Sequence, residues 1–134
     1  MKRDGTKVLV GLLLAVSTIT SVFAQRQSVG NTQIIAGNWE GVWYRGMTSG
    51  RVNIVVRGSE GNIQFTNLEN FGRSARLLIK MAFEDGIFQF RADGEQGGPL
   101  IATLSLNDAG TSMKGMGTFD GFPLRFELKR GPSQ

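Results

Sequence analysis

Phe122-Pro123-Leu124-Arg125-Phe126-Glu127-Leu128-Lys129 sets an apolar side chain at every second position, and it follows the run Ser112-Met113-Lys114-Gly115-Met116-Gly117-Thr118-Phe119 across Asp120-Gly121. Successive side chains of a strand point to opposite faces, so the alternation predicts a strand with one apolar and one wet face. Asp-Gly between two such runs is the sequence of a tight hairpin, whose favoured turn needs positive φ at both central residues. The same grammar repeats upstream. Val52, Ile54 and Val56 alternate with Arg51, Asn53 and Arg57, and Glu84-Asp85-Gly86 and Asn107-Asp108-Ala109-Gly110 are further short turns. With 19 Gly in 134 residues, turn signals recur at strand-length intervals, and helical periodicity is absent after the N-terminal segment.

These runs predict strands over 37–45, 51–57, 62–68, 74–83, 87–93, 100–106, 112–119 and 122–130. Connections this brief join only antiparallel neighbours, because a parallel crossover takes a dozen residues or more. The expected fold is therefore all-β: an eight-stranded antiparallel up-and-down barrel with the apolar face inside, a two-sheet sandwich being the alternative. A membrane-spanning barrel would turn Arg51, Arg57, Arg125 and Lys129 toward lipid, so that class is set aside. Alternation puts Val52, Ile54, Ile63, Phe65, Leu77, Ile79, Met81, Phe88, Phe90, Leu100, Leu104, Met113, Leu124 and Phe126 inside. It puts Val55, Leu78 and Ile101 outside.

Lys2, Arg3 and Lys7 precede an apolar run over 8–16 and a small-residue end, Val22-Phe23-Ala24. That is the three-part pattern of a secretory signal, and the apolar run is short for a membrane span, which makes an uncleaved anchor the lesser alternative. The chain divides into a cleaved signal peptide (1–24), a flexible leader (25–36), the barrel domain (37–130) and a C-terminal tail (131–134). A periplasmic or secreted location follows, with no transmembrane segment after cleavage.

Removing the signal takes 3 of the 15 Lys and Arg and 1 of the 11 Asp and Glu, so the +4 net charge falls to about +2. The Arg residues are spread singly, which argues against a nucleic-acid track. There is no Cys, so packing and backbone pairing must hold the fold, and no His, so the commonest general base and metal ligand are both missing. Ser28, Ser49 and Ser112 thus lack an activating base, and the acidic pairs Glu84-Asp85 and Asp93/Glu95 fall in turns. No enzyme activity, metal or cofactor is expected.

Gly37-Asn38-Trp39-Glu40-Gly41-Val42-Trp43, together with the closing hairpin and Arg130, resembles the small exported bacterial lipocalin-like domains of the calycin group. The resemblance implies a barrel whose floor closes where a basic residue of the last strand, here Arg130, packs across the Trp of the first, here Trp39. This chain lacks the cysteine pair of many lipocalins. Both its Trp lie on one strand, unlike avidins, and its single Tyr44 is not in the Arg-x-Tyr of fatty-acid carriers, so neither ligand is carried over.

The candidate ligand site is Trp43 and Phe90, with Gly41, Gly115 and Gly117 leaving inward space beside the indole. A missing side chain on an inward face marks a cavity or a tight bend. The ligand would be small and apolar or amphipathic. The alternative is an interaction or inhibitor module with a filled barrel, its partner a second copy or an envelope protein. N-terminal sequencing of the exported protein is expected to read Gln25 first; a start at Met1 rules out cleavage.

Overall fold

The structure, a computed structural model, describes residues 32–132. The signal peptide and most of the leader expected from the sequence lie outside them. Nine strands follow a short 3-10 turn at Thr32–Ile35: β1 Gly37–Arg45, β2 Thr48–Arg57, β3 Glu60–Phe65, β4 Arg76–Leu77, β5 Ile79–Glu84, β6 Ile87–Asp93, β7 Pro99–Leu106, β8 Ser112–Phe119 and β9 Phe122–Arg130. All neighbours are antiparallel, in the order β4-β3-β2-β1-β9-β8-β7-β6-β5. Pairing of β1 with β9 brings the first and last strands together. The sheet's own ends, β4 and β5, are separated by Leu78 alone, so the chain itself crosses from one edge to the other. The result is an all-β, nearly closed antiparallel barrel, compatible with a lipocalin-like fold.

Turn chemistry explains the tight hairpins. Asp120 and Gly121 have φ of 54° and 77°, and Asp85 and Gly86 have 52° and 78°, the paired positive values that match the right-handed twist of the flanking strands.

The run read as one strand over 74–83 is broken, and its faces are corrected. Lys80 takes φ 55°, and the register against β6 slips between Ile79 and Ala82, where β5 carries one residue more than its partner. Such a bulge interrupts the two-residue alternation. Leu77 and Ile79, expected inside, are 69% and 40% exposed, whereas Leu78, expected outside, packs against the core with Met81. The third strand also ends earlier than expected, at Phe65, and Asn67 follows with φ 65°.

Inside, Trp39, Trp43, Phe88, Phe126, Leu100, Leu104 and their neighbours form one buried cluster. Glu40, Arg51, Lys114, Arg125, Glu127 and Lys129 are exposed on the outer face, a polar exterior around an apolar interior. Among the described residues no helix is long and apolar enough to cross a membrane.

The floor is built by the 3-10 turn and the end of β9. The Trp39 indole N–H donates to the Ile35 carbonyl at 2.8 Å, and Ile35 is fully buried. Arg130 lies opposite Trp39 in the β1–β9 register, with its guanidinium carbon 4.3 Å from the indole centroid. Its three nitrogens donate to the carbonyls of Gly110 (3.1 Å), Ala36 (2.7 Å) and Ile34 (2.9 Å). One side chain thus ties the last strand to the 3-10 turn and to the β7–β8 connection. Trp39→Ala is expected to cost about 3–5 kcal/mol by urea unfolding. Arg130→Ala should cost about 1–2 kcal/mol through the lost indole contact and carbonyl partners, while Lys129→Ala stays within about 0.5 kcal/mol.

Candidate functional site

Trp43 is buried; its indole N–H donates to the Thr66 carbonyl at 2.9 Å, and its ring meets Phe65 edge-on at 6.3 Å. Strand pairing sets Phe88, Leu104, Gly115, Phe126, Trp43 and Gly50 side by side in one row around the barrel, and Phe90, Ala102, Gly117 and Leu124 in the next. The residues read as a ligand site are therefore spread over three adjacent rows, Gly41 lying in the third with Val52, Leu128 and Met113, and Gly115 is separated from Trp43 by Phe126.

Space beside the indole is a different matter. A Cβ at Gly41 would overlap the carbonyl of Glu127, and one at Gly115 would overlap the carbonyl of Thr103. At Gly117 it would stand 2.5 Å from the Ile101 carbonyl oxygen and 3.1 Å from Ala102 Cβ. Neighbouring backbone stands where these side chains would be. These glycines serve close approach of neighbouring strands and not a cavity. Phe90 is buried against Phe88, ring centroids 5.1 Å apart.

The end of the barrel opposite the floor is closed by a residue that alternation does not single out. Residues 66–75 connect β3 to β4, and from this loop Phe71 drops into the mouth, fully buried, 4.7 Å from the Phe65 ring and 5.4 Å from Phe119. The loop is held mainly through its backbone. Phe71 accepts from Glu95 N–H at 3.1 Å and Asn70 from Gln96 N–H at 2.8 Å, while Gln64 Nε2 donates to the Arg73 carbonyl at 2.9 Å. Arg76 pairs with Glu95 at 2.9 Å, and Gly72, at φ 101°, passes so close to that pair that a Cβ would come within 2.8 Å of both side chains.

Between this loop and residues 94–98 lies an open cavity of about 710 Å³. Phe65 and Leu68 are its buried apolar lining; Asn67, Glu69, Asn70, Arg73 and Ser74 line it from one loop, Glu95 and Gln96 from the other. Comparison with family models, with curated proteins and with solved structures finds no match. The site is therefore read from its own chemistry. Among the described residues no three His, Cys, Asp or Glu side chains gather to hold a metal.

A signal for this end is present in Thr66-Asn67-Leu68-Glu69-Asn70-Phe71-Gly72, where Leu68 and Phe71 are interspersed with Asn67, Asn70 and Gly72, residues that tolerate left-handed backbone. That is the composition of a loop packed by its own side chains, not of a strand continuing to Leu68. Because backbone fills the space at Gly115, Gly115→Val is expected to lower stability by about 3 kcal/mol, at the upper end of overpacking costs, in a denaturant titration. A variant as stable as the parent would mean that the lumen has room there.

Proposed function

We propose that the protein is an exported bacterial calycin-type binding module without catalytic activity, in which a filled barrel is the scaffold and the loop end is the recognition surface. The observation that carries this reading is the combination of neighbouring backbone behind Gly41 and Gly115 with Phe71 in the mouth. A lumenal apolar ligand, the other reading of Trp43 and its neighbours, would have to displace a fully buried phenylalanine and then compete with Phe65, Phe119 and Phe126 for the same volume. Close-packed interiors lose dispersion contacts when they open, so that displacement opposes binding. The loop end has no such obstacle: its cavity is open to solvent, and rigid scaffolds commonly present function on their loops.

The test uses N-phenyl-1-naphthylamine, a neutral apolar fluorophore. Titrated into the purified protein, it is expected neither to brighten saturably nor to quench Trp emission. Saturable micromolar uptake with quenching would place a ligand beside Trp43 and overturn the filled-scaffold reading.

A further inference from the structure

We infer that the cavity between residues 66–75 and 94–98 is a binding site for a neutral polyhydroxylated ligand, an oligosaccharide. The inference rests on the reading of the loop end as the recognition surface. The cavity volume of about 710 Å³ lies within the roughly 300–1,000 Å³ typical of small-molecule sites.

Its polar groups narrow the chemistry. Asn67, Asn70 and Gln96 each offer a carboxamide, which both donates and accepts, and Ser74 adds a hydroxyl. A sugar hydroxyl has the same double capacity, and the buried Leu68 and Phe65 give the cavity an apolar base for the C–H face of a ring. The side chains of Asn67, Asn70, Ser74 and Gln96 make no hydrogen bond to the protein among the described residues. What fixes the loop is instead its backbone, through the carbonyls of Asn70, Phe71 and Arg73, and the buried Phe71 ring. The fixed backbone of the walls lowers the ordering cost of binding, and the uncommitted side chains keep their hydrogen-bonding groups available to a ligand.

Other ligand classes fit less well. An anion would meet the carboxylates of Glu69 and Glu95 with Arg73 as the lining cation, since Arg76 is engaged by Glu95. A cation would meet Arg73. A purely apolar ligand would strip water from three carboxamides without replacing their hydrogen bonds.

The backbone itself supplies a clean test. Asn67 and Asn70 both have left-handed φ, 65° and 69°, which glycine adopts without strain, so Asn67→Gly/Asn70→Gly removes two amides and keeps the loop path. The purified protein is first probed on an array of neutral di- to tetrasaccharides of glucose, galactose, mannose and N-acetylglucosamine, beside sialylated and sulfated counterparts. The best neutral glycan is then titrated calorimetrically. Binding of a neutral glycan is expected, with affinity reduced at least tenfold in the double Gly variant and in Gln96→Ala, both retaining the parental melting temperature. No neutral glycan bound, binding confined to charged glycans, or unchanged affinity in both variants would overturn the inference. A blank array beside continued refusal of N-phenyl-1-naphthylamine removes the saccharide and leaves the loop-end reading in place. Uptake of that probe with Trp quenching ends both.

Discussion

The structure depends on how closely its strands approach at the inward glycines. At Gly41 the backbone of β9 occupies the position of a side chain, and at Gly115 and Gly117 the backbone of β7 does the same. A residue with a Cβ would push the strands apart and flatten the sheet; glycine lets it coil tightly enough to bring β1 and β9 into register. Tight coiling leaves a lumen small enough for two indoles and a set of phenylalanines to fill. Heights within it are set by hydrogen bonds, since the Trp39 and Trp43 N–H groups find carbonyls at opposite ends, Ile35 and Thr66. Buried indoles require such partners, so the two contacts orient the rings as well as stabilise them.

Both ends are then sealed from outside the strands. At the floor, Arg130 spans three carbonyls and an indole face, joining segments distant in the chain. At the mouth, Phe71 converts a connecting loop into a plug. In the proposed function recognition moves from the interior to the loop end, since Phe71 stands buried between the mouth and the lumen while Asn67 and Asn70 of the same loop are exposed. Residues 66–75 are anchored by two buried side chains, Leu68 and Phe71, and by backbone bonds to β2 and to residues 95 and 96.

Much of the architecture was legible because short antiparallel strands announce themselves twice, by alternation and by turn residues. β1, β6, β8 and β9 have the bounds that alternation predicts, and both Asp-Gly turns take the positive φ that their sequence demands. The failure at 74–83 has a local cause. Leu77-Leu78-Ile79 is apolar at three successive positions, so it fits either parity, and the extra residue at Lys80 decides between them. Nothing in that stretch marks the slip; the lysine adopts left-handed backbone because the chain is passing from β3 to β6 to complete the barrel. The candidate site was legible in part. Trp43, Phe90 and the glycines were recognised as inward, but whether a missing side chain means a void or a contact depends on the neighbouring strand. Phe71, which closes the mouth, does not belong to an alternating run at all.

By itself the sequence determined the all-β class, the antiparallel meander and the apolar inner face, because these follow from side-chain periodicity and from the φ preferences of Gly and Asp, which act over a few residues. Only the tertiary structure decided that the lumen is packed at its glycines, that Leu77 and Ile79 turn outward, and that a loop phenylalanine and a terminal arginine close the two ends. Those outcomes are set by the separation between backbones of different strands and by contacts across the barrel, distances that exist only once the sheet has curled.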